Sequence, residues 1–203
     1  MMAQVISVPY FCGFEDTTEI NNWKMNVVAN EDEVCTDQWM IRNIDSSEGY
    51  NSLTITCDLG KTATFGAQRD MVVAYRRFQL DTTLTVNISF EWKCEGIEDI
   101  SHCHFYLFPS RAITEADLFS LPNTADLPMR LSRPPISLSN NSDWRDTLAC
   151  EQLDLVADVE YYMVFVWQNA NTDTSYSTLS KYSVSIDNIQ ITSAPCPEPE
   201  NLQ

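Results

Sequence analysis

The chain has 203 residues, 44% hydrophobic and 20% charged; this fits one globular domain with a core of its own and excludes a disordered tail or a fibre. Its 12 basic and 29 acidic residues leave a formal net charge of −17, so a bare nucleic-acid backbone or an anionic membrane face is repelled, and cations are the natural small partners. No apolar run reaches the roughly 18 to 20 residues that span a bilayer, and Met1 to Ser7 lack the basic and apolar regions of a signal peptide, so the chain is expected either to be cytosolic or to have lost an export signal.

In chain order, the first regular pattern sets Leu53, Ile55, Cys57 and Leu59 against Ser52, Thr54, Thr56 and Asp58, a strand with one face in the core and one wet. Val72 to Tyr75 is apolar on both parities, which predicts a strand covered on both faces or one carrying an aromatic surface row. The clearest alternation places Leu84, Val86, Ile88, Phe90, Trp92 and Cys94 inside and Thr85, Asn87, Ser89, Glu91 and Lys93 outside, as in antiparallel sheets. His104 to Phe108 and Tyr161 to Trp167 repeat the two-sided apolar pattern.

Helix signals are sparse: Thr114-Glu115-Ala116-Asp117 has an N-cap with an acid at the third helical position, enough for one or two turns. Residues 109 to 135 hold five of the nine prolines (Pro109, Pro122, Pro128, Pro134, Pro135), too many for a central strand. They predict a long surface excursion, either a binding loop or a cover over a sheet edge. In the last strand, Val184 and Ile186 are apolar at even positions and Ile189 and Ile191 at odd ones, so a bulge is expected at Asp187-Asn188. With five glycines, turns fall to Asn21-Asn22, Asp45 to Gly49 and Asn140 to Asp143.

These elements predict an all-β fold, an antiparallel β-sandwich of jelly-roll type with one long proline-rich loop and at most one or two short helices. Residues 1–9 form a lead-in, 10–193 the module, and 194–203 a Pro/Glu linker toward further chain. The seven cysteines (Cys12, Cys35, Cys57, Cys94, Cys103, Cys150, Cys196) are odd in number with no Cys-x-x-Cys, against a disulfide framework or structural zinc. Cys57 and Cys94 read as small buried hydrophobes; one or two bridges stay open.

Tyr10 to Asp16 (Tyr-Phe-Cys-Gly-Phe-Glu-Asp), Trp23, Asp37 to Ile41, Ser52 to Ile55, Val73 to Phe78, Ile88 to Lys93, Phe105 to Pro109, Trp144, Val164 to Asn169 and Ser185 to Ile191 come in an order that resembles the MAM-like jelly-roll modules of the cleaved-adhesin or choice-of-anchor J type, found in Bacteroidetes surface and secreted proteins. The closing Cys196 to Leu202 is similar to the entry of a fibronectin type III repeat. Two departures stand out: Thr17 replaces a glycine often found there, and Ser101-His102-Cys103 replaces a more usual Asp-Tyr-Leu. The resemblance implies a non-catalytic module, secreted or at the cell surface, with neighbouring domains and an adhesive role or a glycan or host or matrix protein as partner. It also implies pairing of the first and last strands, which brings Glu15 and Asp16 toward Asp187 and Asn188. Those hard oxygen ligands suit a structural calcium ion, against a competing reading as solvated acids and turn formers.

His102 and His104 share a strand face with Tyr106 at a spacing that suits a transition metal, but no third ligand is identifiable, and surface polar residues are the preferred reading. Enzyme templates are poorly served: there is no Gly-x-Ser-x-Gly, phosphate-cradling loop or His-Glu-x-x-His, and both histidines sit in one strand. An acid pair for glycoside hydrolysis has no sequence signature to test. Trp39, Trp92 and Trp167 lie in strand patterns and are expected in the core, whereas Trp23, Tyr50, Trp144 and Tyr176 fall at turns or strand ends as candidates for exposed rings. The alternative function is a carbohydrate-binding accessory module of a secreted hydrolase, or a spacer with no ligand.

Overall fold

The computed structural model describes residues 3–27, 36–97, 100–114, 116–118, 136–170 and 182–195. Among the described residues the strands are β1 (Gln4–Ile6), β2 (Tyr10–Cys12), β3 (Trp23–Val27), β4 (Gln38–Arg42), β5 (Ser52–Thr56), β6 (Asp70–Leu80), β7 (Leu84–Cys94), β8 (Ser101–Pro109), β9 (Ile136–Leu138), β10 (Asn141–Leu155), β11 (Glu160–Asn169) and β12 (Val184–Ser193), with one short α-helix, α1 (Thr17–Ile20), and a 3-10 turn at Ser110–Ala112. They form two sheets, β1-β6-β11-β8-β9 with β3 also on β6, and β10-β7-β12-β5-β4 with β2 on β12. Pairing is antiparallel except for β1, which runs parallel to β6 with Gln4 opposite Phe78. This is the all-β sandwich expected from the alternation.

The two sheets meet through the predicted parity: Val86, Ile88, Phe90 and Cys94 from β7 pack against Phe105 and Leu107 of β8 and Met163, Phe165 and Trp167 of β11. Phe90 lies 5.1 Å from the Phe105 ring and 5.2 Å from Phe165, distances at which aromatic pairs add to simple burial. Both-parity apolar strands are covered on both faces, as Val72 to Tyr75 and Tyr161 to Trp167 are all buried. The second cover is an outer cluster in which Ile113 and Leu118 join Val73, Tyr75, Tyr106, Phe108, Tyr162, Val164 and Val166.

Several expectations are corrected. Strand β5 stops at Thr56 rather than Leu59; Asp58 accepts the backbone N–H groups of Lys61 and Thr62, both at 3.0 Å, a turn that leaves Leu59 exposed at a φ of 62° and Cys57 half-buried. The supposed wet face of β5 is buried too: Ser52, Thr54 and Thr56 lie inside, with Thr54 Oγ1 donating to Ser185 Oγ at 2.9 Å. A helix that was not expected is α1, whose Asp16-Thr17-Thr18-Glu19 start carries the same cap signal as 114–117. At 114–117 the expected cap is present: the Asp117 carboxylate accepts the Thr114 N–H at 2.6 Å, and a single 3-10 turn follows at 116–118. Asn141 to Asp143 belong to β10, so the turn there narrows to Asn140, at a φ of 52°.

Residues 4–6 of the lead-in are part of the first sheet. Cys12, Cys57, Cys94, Cys103 and Cys150 are all unbridged. Burial pushes Cys12 up to about 11 and Cys94 and Cys150 up to about 12, so these thiols stay protonated and unreactive at neutral pH. Cys35, Cys196, Tyr176, Pro122, Pro128, Pro134, Pro135 and the tail from residue 196 lie outside the described residues.

Candidate functional site

Strand β2 pairs with the closing strand β12, Cys12 opposite Ile189 and Tyr10 opposite Ile191. The β12–β7 register slips between Asp187 and Gln190, and Asn188 has a φ of 48°: the phase change in the apolar pattern is a bulge. This geometry brings Glu15 and Asp187 to one loop, residues 45–51, with Asn188 next to Asp187. Glu15 Oε1 accepts the N–H groups of Tyr50 at 2.6 Å and Asn51 at 2.7 Å, and Oε2 accepts Asn51 Nδ2 at 3.1 Å. Asp187 Oδ2 accepts the Ser47 N–H at 2.9 Å and Oδ1 that of Asn188 at 2.8 Å, while Asn188 Nδ2 donates to Glu91 Oε2 at 3.0 Å. Gly49 completes the arrangement: its φ is 69°, and a Cβ there would lie 2.6 Å from Glu15 Oε1.

The two acids differ in proton affinity for a physical reason. Backbone donors from Tyr50 and Asn51 lower the Glu15 pKa, whereas burial raises that of Asp187 to about 6. Asp16 stands apart, its Oδ1 accepting the Thr18 N–H at 2.8 Å as the cap of α1. Among the described residues no three Asp, Glu, His or Cys side chains converge as a metal-ligand group. The oxygens here are engaged by N–H donors, with Glu15 and Asp187 each reaching the 45–51 loop.

A cavity of about 490 Å³ opens beside Glu15 and Asp16, lined by residues of the stretch from Gln4 to Glu19. It exists because the chain crosses from the first sheet to the second between β1 and β2, leaving the crook of the crossing unfilled. Phe11 is 59% exposed at its edge, and its ring lies over Gly13, where a Cβ would sit 3.1 Å from the ring. Glu15, Asp16, Gln4 and Glu19 supply polar groups. Behind them Arg76, 1% exposed, is bidentate to Glu19 through Nε and Nη2 and donates to Gln4 Oε1 at 2.7 Å. The Tyr10 hydroxyl donates to Glu19 Oε1 at 2.6 Å, under the Arg76 guanidinium 5.0 Å from its ring. Burial is the largest single influence and works against the Arg76 charge, but the Glu19 hydrogen bond and the neighbouring Tyr10, Glu19 and Cys12 together outweigh it and keep the pKa above the ordinary arginine value. The result is a fixed wall built by a paired, desolvated charge.

The histidines are not surface residues. His102 is buried and His104 half-buried on the outer face of the first sheet, with rings 4.4 Å apart at 78°. Burial, then the neighbouring His102, pulls His104 down to about 4, so it is neutral at physiological pH. Sequence placed them on a wet parity because nothing local announces the Ile113 and Leu118 cover on the same face. The same packing buries Tyr75 and Tyr162, whose rings meet at 5.4 Å.

Of the aromatic candidates, Tyr50 is exposed at 70%, and Trp144 is half-buried. Trp23 is a correction: it is buried against Phe14 at 5.5 Å and Phe165 at 6.1 Å, because β3 extends onto β6. Trp39, Trp92 and Trp167 are in the core as expected. Phe11 was missed, although its parity against buried Cys12 marks it as outward facing.

No protein-family model matches the chain, so none supports the MAM-like resemblance, and no curated protein matches it by sequence. Solved structures do match. A xylan-binding domain from carbohydrate-binding module family 22 superposes with a TM-score of 0.50 and 11% identity, covering 91% of this chain and 94% of that one. The C-terminal family 22 carbohydrate-binding module of Clostridium thermocellum Xyn10B, described for ligand binding in its cleft, does so with a TM-score of 0.50 and 11% identity over 91% and 93%. What is shared is the β-sandwich. Among the described residues no helix is long and apolar enough to cross a membrane.

Proposed function

We propose that this chain is a non-catalytic glycan-binding module whose ligand seats in the cavity at the β1–β2 crossing. The observation that carries the reading is the exposed Phe11 ring beside a 490 Å³ cavity rimmed with hydrogen-bonding groups. A flat ring stacks on the apolar face of a pyranose while rim acceptors take its hydroxyls. The shared sandwich of the xylan-binding domain is compatible with this role. His104, packed against His102 and held by burial down to about 4, is too weak a base to favour an opposing view of the chain as a hydrolase. Phe11→Ala is expected to weaken binding to the preferred member of a soluble polysaccharide panel, read by affinity electrophoresis, about tenfold or more, without lowering the melting temperature. Retention of full affinity by this variant would overturn the placement.

Export, attachment to neighbouring domains and an adhesive role on a surface protein belong to the same proposal, as implied by the resemblance of the ordered motifs; fractionation of cells producing the full-length protein tests them. Calcium is a further part of it. A divalent ion beside Glu15, Asp187 and Asn188 would supply the positive charge that the buried Asp187 carboxylate lacks. The melting temperature is then expected to fall on chelation and recover with calcium but not with magnesium, and Asp187→Asn to abolish the difference. A melting temperature indifferent to chelation assigns these acids to holding the 45–51 loop alone.

A further inference from the structure

The charge balance of the cavity is one-sided. Among the described residues its lining includes Glu15, Asp16 and Glu19 and no lysine, arginine or histidine. Arg76, behind the lining, is buried and spent on Glu19, so it offers nothing to an anionic ligand. Glu15 is held in one orientation by three donors from Tyr50 and Asn51, and Asp16 is fixed by the Thr18 N–H. Ionised carboxylates are acceptors only, with about four lone-pair sites each, so both retain acceptor capacity on rigid supports. The exposed Phe11 ring adds a face that takes sugar C–H groups and attracts a cation as well.

We infer that this cavity selects glycans bearing free amino groups, glucosamine-type sugars, over their N-acetylated counterparts and rejects uronate or sulfated chains. An ammonium brings three donors and a positive charge to the Glu15 or the Asp16 oxygens, whereas an acetamide brings one donor and no charge, and a uronate is repelled by the lining and by the net charge of −17. The inference rests on the glycan-binding reading and names the ligand class for the same site.

The test is calorimetry of the full chain, kept free of divalent ions by a chelator so that Glu15 carries no cation of its own, with hexamers of glucosamine, N-acetylglucosamine and galacturonate, at about 20 mM and about 500 mM salt. The glucosamine hexamer is expected to bind about tenfold more tightly than the N-acetylated one at low salt, a preference that shrinks at high salt, and galacturonate not to bind. Asp16→Asn, which keeps the helix cap, is expected to reduce the preference severalfold, and Phe11→Ala to weaken both bound hexamers. Equal affinity for all three hexamers, a preference for galacturonate, or a glucosamine preference untouched by salt and by Asp16→Asn overturns the inference while leaving glycan binding standing. Failure of all three and of the neutral polysaccharide panel to bind removes both.

Discussion

Replacing Arg76 with alanine is expected to destabilise the fold by about 3 to 5 kcal/mol, the cost of leaving one member of a buried ion pair without its partner. Glu19 is only 12% exposed, and its two oxygens are satisfied by Arg76 and Tyr10. Without the guanidinium the carboxylate must remain charged in an apolar setting or take up a proton, and Gln4 loses a donor as well. For a chain of this size the loss corresponds to a melting temperature lowered on the order of 10 °C. Urea denaturation of the variant measures it. A double variant, Arg76→Met with Glu19→Gln, removes both charges and is expected to recover part of the loss, since a neutral pair needs no counter-charge. A single-variant loss below about 1 kcal/mol would mean that the pair is hydrated and the cavity wall loose. Because Arg76 and Glu19 join β6 to α1 and, through Gln4, to β1, the same variant is expected to weaken glycan binding.

Asp37→Asn is expected to change how stability responds to pH. Asp37 is fully buried; Oδ1 accepts the Gly66 N–H at 2.6 Å and Oδ2 the Trp167 Nε1–H at 2.8 Å. Burial raises its pKa to about 6, with nearby Asp70 adding to the rise. A carboxyl raised in the folded state binds its proton more tightly there than in the unfolded chain, so acidification from about 6 to about 4 stabilises the fold, by about 3 kcal/mol at most. His104, lowered to about 4, has the opposite sign. Its unfolded form takes a proton below about 6.5 and its folded form does not, so the same acidification removes stability on a similar scale. Asp187, also raised to about 6, is common to wild type and variant and cancels in the comparison. Asp37→Asn is therefore expected to lose about 3 kcal/mol more, relative to wild type, at pH near 4 than at neutral pH, because it forfeits the acid stabilisation of Asp37, while the His104 penalty is common to both proteins and cancels. It also sets an amide donor against Gly66 or Trp167, a cost of about 1 to 3 kcal/mol at every pH. Denaturant midpoints at the two pH values separate the terms, and a pH-independent difference would show that Asp37 is ionised throughout.

Legibility in the sequence tracked the distance over which each signal acts. Parity along a strand is local, so β7 was read residue by residue, and even the bulge at Asp187-Asn188 showed as a phase change between Ile186 and Ile189. Burial on the second face is not local. The histidines looked wet because the cover, Ile113 and Leu118, comes from the segment after β8, and Ser52, Thr54 and Thr56 looked wet for a similar reason. The cavity was invisible because it arises from the crossing between sheets rather than from a motif.

The amino-acid sequence by itself determined the class of fold, the inward faces of the long strands and a surplus of negative charge, since apolar spacing and charge count need no partner to be read. Only the tertiary structure decided which polar residues are buried, that Glu19 and Arg76 form a pair 57 positions apart, and that Phe11 stands beside an open cavity. Those outcomes depend on which distant segments the two sheets bring into contact, and desolvation is a property of the assembled neighbours rather than of the residue itself.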